Sequence, residues 1–171
     1  MKKLLIVVDM QNDFVSGVLG TKEAVAIVPS VASLVKDFDG DIFFTRDTHH
    51  DNYLDTAEGR KLPVVHCIEG SEGWEIIPEL IPLVEEKNAR VFDKPTFGSI
   101  ELVNVLKNSS YSEIYLCGVC TGICVISNAM LAKAAVYETP VKVVEHCCAC
   151  VTPDSHKTAI EAMKTCQIDI V

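Results

Sequence analysis

The sequence predicts a doubly wound α/β fold, a parallel sheet with helices on both of its faces. Three observations carry that expectation. Short apolar runs alternate with stretches of helical periodicity along all 171 residues. The first run, Leu4-Leu5-Ile6-Val7-Val8, is continuously apolar rather than alternating, the pattern of a strand covered on both sides. Polar residues also recur just past the ends of successive strand candidates, where open parallel sheets bind their ligands.

The elements follow in order. Met1-Lys2-Lys3 and the apolar run behind it open like a secretory signal, but the run stops at Asp9 and lacks both the length and a small-residue cleavage site. Lys3 to Val8 therefore reads as the first strand. Ile27 to Phe38 has helical spacing, and Asp41 to Thr45 is the second strand. Arg46 to Glu75 is the exception: it has no clear period and holds three of the five histidines. Segments of that length are functional or disordered, and Tyr53, Leu62, Pro63, Val64 and Trp74 offer apolar anchors for an ordered loop over the sheet. Ala89 to Phe92 is a third strand, Ser99 to Lys107 a helix, and Glu113 to Cys117 a fourth strand. A glycine turn leads into a helix over Thr121 to Val136, where Ile123, Ile126, Met130 and Leu131 recur. Val141 to Glu145, a helix over Pro153 to Lys164 capped by Thr152 or Asp154, and Gln167 to Val171 complete the chain. No repeat, low-complexity tract or linker interrupts it, so residues 1–171 read as one domain.

Composition narrows the partners. With 49% hydrophobic and 23% charged residues, the chain is long enough for a single sizeable core. A net charge of −9 and a pI near 4.9 exclude the basic footprint that nucleic acid or an anionic membrane requires. No apolar stretch approaches the roughly 18–20 residues of a membrane span. A small, neutral or cationic ligand fits better. The eight cysteines, with no export signal before them, read as reduced thiols of a cytoplasmic protein.

The densest chemistry lies in Leu116-Cys117-Gly118-Val119-Cys120-Thr121-Gly122-Ile123-Cys124-Val125. A buried strand ends in a glycine turn, and Cys124 falls in the first turn of the next helix. There the helix dipole and free N–H groups favour a thiolate and can hold an oxyanion. Asp9, past the first strand, and Lys94, past the third, supply a base and a cation for such a nucleophile. Alone, a strand-end acid is as readily a helix cap and a lysine is as readily solvated; their joint position at one sheet edge is the argument. Asp47 and His49, two apart on an extended strand end, face the same way, and with Glu58 and His66 they form a nitrogen and carboxylate set suited to Zn, Fe or Mn. His50 points the other way, to solvent. The pairs Cys117-x-x-Cys120 and Cys147-x-x-Cys150 imitate a four-cysteine zinc site, but Cys117 lies within a strand and a full crossover separates the pairs.

Together, Val8-Asp9-Met10-Gln11-Asn12-Asp13-Phe14, Thr45-Arg46-Asp47-Thr48-His49, Glu58-Gly59 with Leu62 to Gly73, Phe92 to Ser99 and the cysteine turn resemble the isochorismatase-like cysteine hydrolases, and within them the nicotinamidases and pyrazinamidases. The resemblance covers nearly the whole chain. It implies a six-stranded parallel sheet and a triad of Cys124 as nucleophile, Asp9 as general base and Lys94 as its charged partner. It further implies a cis peptide between Val119 and Cys120 that aims the N–H groups of Cys120 and Cys124 at one oxyanion. Asp47, His49, Glu58 and His66 would bind a divalent metal, by expectation zinc with iron or manganese as alternatives, that anchors a substrate ring nitrogen. Phe14 and Phe97 would flank that substrate. The implied reaction is hydrolysis of nicotinamide to nicotinate and ammonia through a cysteine thioester, a step of NAD salvage, in a homo-oligomer. Cys120 stands where the family usually has Ala, and Gly122 where an aspartate is common. Two rivals remain at this level: another cysteine amidase of the family, separated by ammonia release from nicotinamide, and a non-enzymatic thiol redox or metal-storage protein, which Cys124→Ala would leave unchanged in every activity.

Overall fold

A computed structural model describes residues 1–171. The strands are β1 (Leu4–Val8), β2 (Asp41–Asp47), β3 (Arg90–Lys94), β4 (Ile114–Val119), β5 (Val141–Ala149) and β6 (Asp169–Ile170). All are parallel, in the spatial order β3-β2-β1-β4-β5-β6. The helices are α1 (Asn12–Val15), α2 (Lys22–Asp37), α3 (Ile81–Glu86), α4 (Ile100–Lys107), α5 (Ile126–Ala135) and α6 (Pro153–Thr165). Strand order reverses between β1 and β4. With right-handed crossovers, α2 and α3 therefore cover one face and α4, α5 and α6 the other, and α2 accordingly packs on α3 while α4 packs on α5. Each residue of β1 is 0% exposed, as its unbroken apolar run requires. No helix is long and apolar enough to cross a membrane.

The elements differ from the expected ones mainly at their ends. Helix α2 begins at Lys22, five residues earlier than the periodicity marks, because Thr21 caps it by accepting from the Ala24 N–H at 3.0 Å. Pro29 lies inside that helix and leaves one carbonyl of the preceding turn without its usual donor. Thr152, not Asp154, caps α6, in a reciprocal capping box with Ser155. Strand β5 runs on to Ala149, four residues beyond its expected end, and β6 shrinks to two residues.

The long segment after β2 is ordered. Tyr53 is its buried anchor, and its hydroxyl donates to the Leu62 carbonyl at 2.8 Å. Leu62 and Pro63, expected as anchors, lie at the surface. Backbone bridges at His49 with Ile68 and Gln11 with Ile76 tie the segment to the strand ends. The Asp13 carboxylate, accepting from the Cys67 N–H at 2.8 Å, does the same.

The cysteine turn is not a plain helix start. Thr121–Val125 forms a π-turn that leads directly into α5. The buried face of α5 is made of Asn128, Ala129 and Ala132, small enough for close approach to the sheet. Its larger residues Ile126 and Met130 pack against the core while partly buried, and Ile123, in the preceding π-turn, is 36% exposed. Gly118 has φ +113°, and a Cβ there would meet the Val8 carbonyl oxygen, so β1 and β4 approach each other where only glycine fits.

Candidate active site and metal centre

The strand order brings the polar strand ends together. Asp47 of β2 is the register partner of Lys94 of β3, and Val8 pairs with both Thr45 and Gly118. Asp9, Asp47, Lys94 and the Cys124 turn thus sit side by side at the carboxyl edge of four adjacent strands.

Lys94 is the hub, 1% exposed. Its Nζ lies 2.7 Å from Asp9 Oδ2, 3.3 Å from Asp47 Oδ1 and 3.7 Å from Cys124 Sγ, and it donates to the Thr96 carbonyl at 3.1 Å. Burial alone would strip its proton, but Asp9, Cys124 and Asp47 hold its pKa above the ordinary lysine value. Asp9 Oδ1 accepts from the Thr45 hydroxyl at 2.7 Å. Its Oδ2 is paired with Lys94 by charge and has no further polar partner. That oxygen keeps a free lone pair. Burial raises the Asp9 pKa against the lowering influence of Lys94.

Cys124 is 4% exposed. Burial, then the Asp9 carboxylate, push its pKa well above the usual thiol value, with Lys94 opposing. The sequence pointed to a thiolate favoured by a helix start. In the folded protein the desolvated sulfur facing a carboxylate rests as a thiol, so a base has to take its proton. The Val119–Cys120 peptide is cis, and the Cys120 N–H donates to no group of the protein.

One group of side chains converges tightly enough to hold an ion: Asp47, His49, Glu58 and His66, with ligand atoms within 4.8 Å of one another. His49 Nε2 lies 2.9 Å from Asp47 Oδ2, and His66 Nε2 lies 3.5 Å from the same oxygen. Glu58 Oε1 lies 3.8 Å from both imidazoles. His66 Nδ1 is 2.7 Å from the Val64 carbonyl and donates to it, so Nε2 is the nitrogen turned toward the group. Two carboxylates and two imidazoles aimed at one point fit a divalent cation. Burial would raise the Asp47 pKa, but hydrogen bonds from His49 and His66 and the charge of Lys94 hold it well below the carboxylate range. Burial and Asp47 raise that of Glu58. His50 is exposed, as expected, beside Glu69.

Both centres open on one cavity of about 320 Å³. Cys120 and Cys124 line it together with Asp47, Glu58 and His66, and Phe14, Phe97, Leu19, Leu62, Ile123 and Val151 complete the lining. Phe14 stands edge-on to His66 at 5.5 Å, and Phe97 is 40% exposed at the mouth. Of the site residues singled out in the sequence, Asp9, His49, Lys94 and Val119 are buried behind the wall, and the others line the cavity. A larger hollow of about 650 Å³ lies beside Lys3, at the opposite edge of the sheet and remote from these groups.

Sequence reasoning missed the supports. Gln11, fully buried, donates to the Asp47 and Trp74 carbonyls at 2.9 and 2.8 Å and accepts from the Asp47 N–H at 2.7 Å. It clamps the first metal-ready carboxylate from both sides of its peptide. Asn128 donates to the Phe97 and Cys124 carbonyls at 3.0 and 2.8 Å and accepts from the Ser99 N–H at 3.0 Å. The Tyr53 ring packs against both imidazoles, at 4.7 and 5.0 Å.

Comparison with known proteins shows the family and the fold. The model of the isochorismatase domain matches residues 3–171. A Bacillus subtilis (strain 168) protein described as the uncharacterized isochorismatase family protein PncA is 33% identical over 143 residues, spanning 76% of this chain and 78% of its own. The nicotinamidase of Saccharomyces cerevisiae is 26% identical over 183 residues, 81% of this chain and 85% of its own. Among solved structures, the nicotinamidase/pyrazinamidase PncA from Bacillus subtilis superposes with a TM-score of 0.85 at 27% identity, covering 100% of each chain. The pyrazinamidase of Pyrococcus horikoshii in complex with zinc gives 0.85 at 27% identity, covering 100% of this chain and 99% of its own. With its full-length family match, its six-stranded parallel sheet and its relatives, the chain belongs to the isochorismatase-domain family.

Proposed function

We propose that the protein is a nicotinamidase, hydrolysing nicotinamide to nicotinate and ammonia through a thioester on Cys124. Its family and relatives make it a hydrolase acting on an amide. The observation that carries the finer reading is the shared cavity: Cys124 and three of the four metal-ready residues, Asp47, Glu58 and His66, line one space of about 320 Å³, sized for one small aromatic amide.

Cys124 Sγ attacks the carboxamide carbon as Asp9 takes its proton on the free Oδ2 lone pair. Lys94, 2.7 Å from Asp9 and 3.7 Å from the sulfur, balances the negative charge that moves between them. The N–H groups of Cys120 and Cys124 receive the oxyanion, each donor contributing about 3 kcal/mol of transition-state stabilisation. Asp9 returns the proton to the departing ammonia, and then takes one from the water that opens the thioester. Asp47, His49, Glu58 and His66 would hold a divalent metal, zinc by the chemistry of the donors with iron or manganese as alternatives; when bound it supplies a Lewis-acidic anchor for a ring nitrogen. Phe14 and Phe97 close on the ring faces.

Ammonia release from nicotinamide, pyrazinamide, benzamide and aliphatic amides tests the reading. The expected order puts the two nitrogen heterocycles far ahead of benzamide. Equal rates on benzamide, or no release from nicotinamide, would overturn it.

A further inference from the structure

A second thiol pair lies beside the reacting centre. Val119 of β4 and Ala149 of β5 are register partners in the sheet, so the residues that follow them, Cys120 and Cys150, leave the two strands side by side. Neighbouring strands run about 4.8 Å apart, within the Cα separation of about 4.4–6.8 Å that a disulfide spans. Cys150 Sγ is turned toward the same π-turn: it lies 3.5 Å from where a Cβ on Gly122 would stand. Cys120 lines the substrate cavity with Cys124, whereas Cys150 is buried behind it. Both are free thiols.

We propose that Cys120 and Cys150 are a peroxide-oxidisable dithiol whose closure to a disulfide draws the wall of the substrate cavity toward β5 and stops hydrolysis. The bond rests on sheet register and thiol chemistry; only its consequence for turnover rests on the amidase reading above. Its polar neighbours, Cys120 first, with Ser155 and the backbone of Gly122 and Val151, lower the Cys150 thiol to about 5 against the effect of burial. The neighbouring Cys150, with burial, raises the Cys120 thiol. A thiol lowered toward the thiolate, beside a second thiol, is the arrangement that thiol oxidation favours.

The Cys150 thiolate attacks one oxygen of a hydroperoxide; the O–O bond breaks, leaving Cys150 as a sulfenic acid and releasing hydroxide or alkoxide. The Cys120 sulfur then attacks the sulfenic sulfur, the S–O bond breaks, and the departing hydroxide leaves as water with the Cys120 proton. Two sulfurs have lost two electrons and the peroxide has gained them. Because Cys120 carries both a wall of the cavity and a proposed oxyanion N–H, a displacement of about 1 Å is enough to lower turnover on the order of a hundredfold.

The test treats reduced protein with equimolar hydrogen peroxide, blocks remaining thiols and maps peptides by mass. One cross-linked peptide joining Cys120 to Cys150 is expected, with nicotinamide hydrolysis lowered on the order of a hundredfold and restored by dithiothreitol. Cys150→Ser, outside the cavity, should keep the starting rate, form no cross-link and lose the dithiothreitol-reversible inactivation. Absence of the Cys120–Cys150 peptide overturns the proposal, as does a cross-link that leaves turnover unchanged or a Cys150→Ser protein inactivated and rescued like the parent. Peptide mapping decides the bond even if nicotinamide proves not to be the substrate.

Discussion

At Cys124 the local electrostatics assign the work. A thiol pushed upward by burial and by Asp9 is a poor nucleophile until its proton is taken, and the proposed mechanism gives that task to the carboxylate. Cys124→Ala and Cys124→Ser are expected to abolish ammonia release while leaving the circular dichroism spectrum unchanged, since both are small replacements at a buried site. Near-normal turnover by purified Cys124→Ala would remove the nucleophile. Asp9→Asn and Lys94→Ala should each lower kcat by about a hundredfold or more, yet they should move the thiol in opposite directions. Asp9 raises the Cys124 pKa and Lys94 lowers it. At the alkaline pH where the thiol titrates Asp9 is ionised, so its loss shifts the iodoacetamide rate profile to lower pH and loss of Lys94 shifts it to higher pH. An unchanged profile in Lys94→Ala would take Lys94 out of the triad. Loss of one partner from so buried an ion pair also costs about 3–5 kcal/mol of stability, so folding of each variant is checked first.

Between residue and fold stand the elements that hold these groups in register. Asn128 joins three of them: α5, the loop before α4 that carries Phe97, and the Cys124 turn. Asn128→Ala leaves the buried Ser99 N–H and Phe97 carbonyl without this partner, at about 1–3 kcal/mol. A lower urea midpoint at unchanged m-value is the expected signature, with KM for nicotinamide rising more than kcat falls because Phe97 loosens first; a variant as stable as the parent would deny Asn128 this role. The four strand-end groups were legible in the sequence because each follows an apolar run long enough to be recognised, and Glu58 because an acid between two histidines has chemistry of its own. Gln11 and Asn128 were not legible, because a buried amide acts only through hydrogen bonds to backbone that the fold brings near. The short helices α1 and α3 escaped for another reason: four and six residues hold too few turns to show a period. The π-turn at Thr121–Val125 was read as ordinary helix, since one extra residue per turn scarcely alters which apolar positions recur.

Across the whole molecule, the sheet order turns four separate motifs into two facing centres. β3, β2, β1 and β4 are consecutive neighbours, so Lys94, Asp47, Asp9 and the Cys124 turn span the reversal of strand order, where a parallel sheet leaves a crevice. Lys94 touches both centres, at 2.7 Å from Asp9 and 3.3 Å from Asp47, but in the proposed mechanism the nucleophile does not depend on the metal-ready group for its deprotonation, because Asp9 would take the proton. Binding and chemistry should therefore separate. Stripping metal from the protein is expected to cripple nicotinamide hydrolysis while Cys124 remains reactive toward a small alkylating agent, and His49→Ala should do the same, since His49 lies behind the wall and touches Asp47 rather than the sulfur. Were these four residues merely solvated loop groups, elemental analysis of protein purified without a histidine tag would find no stoichiometric metal, and neither chelation nor His49→Ala would alter the rate. Benzamide supplies the internal control: lacking a ring nitrogen, it should be slow before chelation and little changed after it. A metal-free protein that turns over nicotinamide at full rate would end the anchored-substrate mechanism and leave Cys124, Asp9 and Lys94 acting on a substrate held by Phe14 and Phe97 alone.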